Sequence, residues 1–208
     1  MSEALNEHEL YVAELDSPKA RELADLTGIL LDLDFVHQAV GRLGDMEHDD
    51  AADPIVARAL WMAALVTYAR CFAGGRRASL SWSVFADVHP DAPAAHRFIM
   101  SMRDKHVAHA VNPFDQVHIG ATLSPVDADK LEVLGTTSLS QTLIGWEHDG
   151  LQTLWNLARE ARAVVSARAK AAQAELFEEA KAMPIEDLYG RARLQSVTPG
   201  PADVQKPR

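Results

Sequence analysis

The sequence predicts a mainly α protein: an antiparallel helical bundle with one small β-hairpin inserted between its third and fourth main helices. Three observations carry this. Apolar residues recur at spacings of three and four over long segments. Capping residues, proline and glycine punctuate the ends of those segments. Only the stretch after residue 115 alternates with the period of a strand. At 208 residues and 48% hydrophobic, a chain of this size can bury about 70% of its unfolded surface without a disulfide or a structural metal.

Residues 1–16 are polar and are expected to be a flexible segment. Ser17-Pro18 then starts the first helix, a capping serine followed by proline at the first helical position. Leu23, Leu26, Leu30, Leu33, Val36, Val40 and Leu43 lie on one face, and Gly44 is expected to end it. Asp53-Pro54 repeats the start signal for a helix reaching about Ala73, stopped by Gly74-Gly75. Its two apolar stripes, Ile55/Ala59/Met62/Val66/Ala69 and Trp61/Leu65/Tyr68/Phe72, are the pattern of a central helix. The second stripe offers more apolar area than one bundle obviously covers, so a homodimer is expected.

Leu80–Val88 suits a short helix. A third main helix is expected from Asp91–Pro93 through His109, stopped at Asn112-Pro113. Gln116–Leu123 and Lys130–Thr137 alternate and read as a hairpin over about 116–137. A long helix follows from about His148 to Ala182, then a short one after Pro184 to Arg193. The bundle thus covers 17–193, and 194–208 reads as a disordered tail.

The net charge of -10 argues against a general nucleic-acid coat. Residues 1–53 hold 14 acidic and 3 basic residues, and the rest of the chain 16 and 17, so a local basic site is allowed there. The longest apolar run, Ala59–Val66, is far short of the roughly 20 residues that span a bilayer. With a polar N-terminal stretch and the single cysteine Cys71, a cytoplasmic protein free of membrane is the expectation. Cys71 lies beside Phe72 inside a helix and is expected in the core.

Phosphate-loop, nucleophile-elbow, H-E-x-x-H and paired-cysteine patterns do not occur. No cofactor or metal is implied. The segment Met102-Arg103-Asp104-Lys105-His106-Val107-Ala108-His109-Ala110-Val111-Asn112-Pro113 concentrates cations and imidazoles where a helix is about to end. His106 and His109 share a face that continues Phe98 and Met102, and are expected to be partly buried. Arg70, Arg76 and Arg77 flank the helix end at Gly74-Gly75.

The 102–113 segment resembles the Arg-x(4–6)-His signature of the HEPN superfamily (higher eukaryotes and prokaryotes nucleotide-binding domains), most nearly its abortive-infection, phage-resistance type. The resemblance implies an α-bundle, often dimeric, acting as a metal-independent endoribonuclease in toxin–antitoxin or anti-phage defence. It covers about ten residues closely. A second copy of the spacing, Arg42 to His48, lies among Asp45, Glu47, Asp49 and Asp50, which would repel a phosphate. On this resemblance Arg103 is the expected phosphate clamp and His109 the acid/base, with Asp104 orienting one of them. Lys105, His106, Arg70, Arg76 and Arg77 are expected to bind flanking phosphates, and the partners are RNA, a second copy and an antitoxin or other protein. On an ideal helix Arg103 and His109 stand about 120° apart. Either the helix distorts, or two chains complete one site. The alternative is a non-catalytic interaction module on the same bundle, in which Arg103 and His109 are buried in a salt-bridged core.

Overall fold

A computed structural model describes residues 11–49, 51–85, 90–107, 115–142, 148–193 and 201. These residues are mainly helical, with one long antiparallel hairpin. Two compact units are formed, Met1–Ala24 with Lys170–Arg208, and Asp25–Ala169.

The larger unit is a helical bundle. Helix α1 (Pro18–Met46) starts as the sequence predicts, with Ser17 Oγ accepting from the Ala20 amide at 3.2 Å. It runs two residues past Gly44, a glycine with ordinary helical backbone. Helix α2 (Pro54–Phe72) is capped by Asp53, whose carboxylate accepts from the Ile55 amide at 2.8 Å. A 3-10 turn, Trp82–Phe85, takes part of the expected Leu80–Val88 helix. Helix α3 (Ala92–Met102) passes into a π turn, Arg103–Val107. Helix α4 spans His148–Lys181, within a residue of expectation.

Between Asp25 and Ala169, α1 and α4 run antiparallel. Arg162 bonds Asp34, the His37 and Trp155 rings stand 4.7 Å apart, and His148 meets Glu47 at 3.0 Å. Leu33 and Val36 of α1 and Leu154, Ala158, Ala161 and Val165 of α4 are fully buried. So are Trp61, Ala64, Leu65 and Tyr68 of α2. Helix α2 is thus central. By length and composition it is apolar enough to cross a membrane, yet its largest side chains are covered by this chain's own elements.

That covering corrects the dimer argument drawn from α2. Trp61, Leu65 and Tyr68 are not spare surface. Phe72 packs on Phe85 of the 3-10 turn and on His96 of α3, with ring centroids 5.8 and 4.4 Å away. Those two elements close over the Tyr68–Phe72 end of the stripe; the large apolar residues left outside on α2 are Ile55, Val56 and Val66.

The hairpin pairs β2 (Asp115–Leu123) with β3 (Val133–Thr142). It begins later on its second strand than the alternation suggests and extends to Thr142. The Thr136–Thr142 segment is rich in hydroxyls rather than alternating apolar residues, and its strand character comes from pairing with β2. Ser124 closes the loop, its amide donating to the Glu132 carbonyl and its Oγ to the Lys130 carbonyl.

In the smaller unit, β1 (Val12–Ala13) pairs antiparallel with β4 (Ala192–Arg193), which follows α5 (Ile185–Arg191). Tyr11 and Tyr189 face each other at 6.4 Å, and Lys19 binds both Glu22 and Glu175. Part of the N-terminal segment expected to be flexible is therefore paired. Of the expected tail 194–208, only Pro201 is among the described residues.

Candidate functional site

The segment singled out in the sequence begins where α3 changes its winding. Four polar residues, Arg103 to His106, separate Met102 from Val107. On an α-helix residues five apart stand about 140° from one another. A turn closed by i→i+5 bonds instead stacks residues five apart. The π turn packs on α2, with Met102 buried and Val107 half-buried, while Asp104 and Lys105 are exposed and Arg103 half-exposed. Single π turns of this kind recur at functional sites.

Arg103 begins this turn with its backbone N–H shared between the Ile99 and Met100 carbonyls. Its guanidinium Nη1 donates to Asp104 Oδ1 at 2.8 Å, and its side chain is 42% exposed. Asp104 and Lys105 are exposed. His106 belongs to the turn, but its side chain lies outside the described part, and His109 lies outside the described residues altogether. The partial burial expected of both imidazoles therefore falls outside the described part; of the two residues whose face they were expected to continue, Met102 is buried and Phe98 exposed.

The other predicted cations sit elsewhere. Asp32 of α1 is buried and accepts from Arg70 Nε at 3.1 Å, from Arg70 Nη2, and from Arg77 Nη1 at 2.8 Å. Arg77 also donates to the Arg70 carbonyl at 3.3 Å. Gly28 leaves room for this guanidinium, since a Cβ there would meet Arg77 Nη1 at 3.3 Å. Bonding to Asp32 holds the Arg70 pKa above its ordinary value. Arg70 and Arg77 thus neutralise a buried carboxylate, and Arg76 beside them is exposed.

These arginines are not continuous with the π turn. His96 of α3 lies against Tyr68 and Phe72, near the C-terminal end of α2. The π turn starts seven residues later, about 10 Å along the helix, and still packs on α2. Helix α3 must therefore run back toward the N-terminal half of α2, away from Arg70 and Arg77.

Sequence reasoning missed two clusters. His96 is enclosed by Tyr68, Phe72 and Phe85, and Tyr68 Oη lies 2.8 Å from its Nδ1. Burial, with the cation of Arg97 adding to it, pushes the His96 pKa down, so the imidazole is neutral in the fold. Burial raises Tyr68, and lifts the Cys71 thiol to about 12, so neither group is a nucleophile near neutral pH. The second cluster lies along α4, where Trp155 sits between His37 and Arg159, whose guanidinium is 5.0 Å from the ring centroid. Trp155, Glu47 and His148 line a cleft of about 300 Å³, and Arg159 and Glu160 line another of about 390 Å³. Among the described residues, Arg103, Asp104, Lys105 and Val107 line neither. Among the described residues, no three His, Cys, Asp or Glu side chains converge as metal ligands would.

No protein-family model, curated protein or solved structure matches the chain.

Proposed function

We propose that this chain is a metal-independent endoribonuclease of the HEPN type, working at the turn that begins with Arg103. The observation that carries the reading is the change of helical winding at Arg103, which turns Asp104 and Lys105 outward and leaves Arg103 half-exposed. A phosphate can reach such a guanidinium, which would not hold in a salt-bridged core.

The chemistry follows from the residue types. The 2′-oxygen of RNA forms a bond to the adjacent phosphorus while the bond from phosphorus to the 5′-oxygen breaks. One proton leaves the 2′-hydroxyl and one reaches the departing 5′-oxygen. An imidazole such as His109 moves protons near neutral pH. The Arg103 guanidinium offsets charge building on the phosphate oxygens, and Asp104, already bonded to it, orients it. Lys105 and His106 hold a flanking phosphate. The π turn alters the register beyond Arg103, and a second chain is the route by which His109 completes the site. A cytoplasmic defence toxin restrained by an antitoxin is the setting this reading implies.

The second reading, a non-catalytic interaction module, is favoured by one observation. Arg70, Arg77 and Arg103 are each already bonded to a carboxylate.

Purified protein is incubated with single-stranded RNA in EDTA. The nuclease reading expects cleavage products ending in 2′,3′-cyclic phosphate, with DNA left intact. A magnesium requirement, or cleavage that survives both Arg103→Ala and His109→Ala, overturns the assignment. Absence of cleavage favours the interaction module.

A further inference from the structure

The hairpin leaves its apolar residues uncovered. Val117, Ile119 and Leu123 of β2 are 67, 74 and 63% exposed, and they alternate onto one face with Ala121. The cross-strand partners on that face are mostly hydroxyls: Ser140 opposite Val117, Ser138 opposite Ile119, Thr136 opposite Ala121. The apolar stripe therefore follows β2 as far as Ala121 and is joined at Leu123, where the register shifts, by exposed Val133. Among the described residues the sheet has two strands, which leaves the outer edge of β2 unpaired there. An isolated two-stranded hairpin is marginal in water, and further strands or packing against a helix are needed for independent stability. Free edges are ordinarily blunted by lysine, proline or an inward charge. Residues 116–124 contain no Asp, Glu, Lys, Arg or Pro.

We infer that the β2 edge pairs antiparallel with the β2 edge of a second copy of this chain, about a two-fold axis at Gly120, giving a four-stranded sheet. This inference is independent of the nuclease reading. A strand is complementary to its own copy only in antiparallel sense, the arrangement a two-fold axis generates. With the axis at Gly120, Val117 faces Leu123 of the second copy and Ile119 faces Ala121, so every apolar residue of the stripe meets an apolar one. Gln116 and Ser124 face each other at the ends. Moving the axis one residue to Ile119 would set Asp115 against Leu123, and an axis between residues would put apolar side chains opposite the other face. A protein of net charge -10 repels its own copy, but the paired stretch is uncharged. Asp127, Asp129, Lys130 and Glu132 lie beyond it in the loop and at its end. Gly120 also suits the axis, since an added Cβ would meet nothing within 4 Å.

Nine residues a side, Gln116–Ser124, is small beside the roughly 20–30 of a standard interface. The association is accordingly weak and concentration-dependent, and is best read by trapping it. Gly120→Cys introduces a thiol at the axis, where antiparallel neighbours stand about 4.5–5.5 Å apart, inside the range a disulfide spans. Thr137→Cys lies directly opposite Gly120 on the outer strand. Its two copies would be three strand spacings, about 14 Å, apart, too far to bridge.

Under oxidised glutathione at tens of micromolar protein, Gly120→Cys is expected to form a covalent dimer on a non-reducing gel. Thr137→Cys and the wild type, whose single thiol is the buried Cys71, are expected to remain monomers. Sedimentation should show reversible wild-type self-association that Ile119→Asp abolishes, with unchanged helical circular dichroism because Ile119 touches no helix core. Equal cross-linking of the two cysteine variants, or none of Gly120→Cys, overturns the inference. So does self-association indifferent to Ile119→Asp.

Discussion

Removing the Asp32 carboxylate should cost more stability than removing either of its arginines. Asp32 is 7% exposed as a residue and accepts three hydrogen bonds from two guanidinium groups. A hydrogen bond to a charged group contributes about 1.5–3 kcal/mol when well formed. The Arg77 side chain is 21% exposed, so its bond to Asp32 falls in that range and losing it costs about 2 kcal/mol. The Arg70 side chain is 61% exposed, and screening brings its share to about 1 kcal/mol despite two bonds. Asp32→Ala loses both and leaves Arg77 partly buried without its carboxylate, for a total of about 3 kcal/mol. The expected order of loss is Asp32→Ala, then Arg77→Ala, then Arg70→Ala. Urea unfolding followed by circular dichroism reads this as falling midpoints at constant slope. An Arg70→Ala loss as large as that of Asp32→Ala would refute the reasoning. A loss under about 1 kcal/mol for Asp32→Ala would show that the pair's desolvation cancels its attraction. The same variants bear on RNA: arginines serving phosphate lower cleavage, whereas arginines serving Asp32 lower stability first.

Other expectations follow from single contacts. Asp53→Ala removes the cap on the Ile55 amide and should cost about 1 kcal/mol by urea titration, while Asp53→Asn should restore most of it. His96 is neutral in the fold because burial lowers its pKa. The unfolded chain binds the proton first as pH falls below about 6.5, so stability is full above that pH and is lost below it. His96→Phe should flatten the acid limb of the wild-type curve between pH 7 and 5; an unchanged limb would show that His96 does not set it. If RNA is cleaved, His109→Ala should slow it about 10²- to 10⁴-fold and Arg103→Ala about 10²- to 10³-fold. His48→Ala, from the acidic copy of the spacing, should leave the rate near wild type.

The helices were legible because their ends are chemically marked. Ser17-Pro18 and Asp53-Pro54 both act as the caps their residue types imply, and Leu26, Leu33, Val36, Val40 and Leu43 of the expected stripe are buried on α1, with Leu30 half-buried. Which of two apolar stripes on α2 faces a neighbour was not legible, because periodicity gives a face and not what covers it. The covering comes from Phe85 and His96, dozens of residues away or separated by a loop. Asp32 left a signal that could have been read. It falls in register with Ile29, Leu33 and Val36, an acidic residue on an apolar face. Such a group must find a cation, and Arg70 and Arg77 were the cations at hand. Reading them as a path for phosphate treated them as free charges, when one buried carboxylate already claims both.

The π turn shows how far a spacing motif can be carried without its winding. The separation of about 120° between Arg103 and His109 assumed α geometry throughout. Yet an apolar residue, four polar ones and another apolar residue, Met102 to Val107, do not fit an α-helix lying on a core. Apolar positions on one α face recur at three or four, not at five. Either Val107 turns away from α2 or the helix takes one more residue into the turn. The second allows both side chains inward, and a π turn is the winding adopted, with Met102 buried and Val107 half-buried. The local cost of an i→i+5 turn is offset by keeping Met102 buried while Arg103, Asp104 and Lys105 stay in water. The same five-residue interval that spoils the α register is therefore what lifts the charged run off the bundle, where a phosphate or a partner chain can meet it.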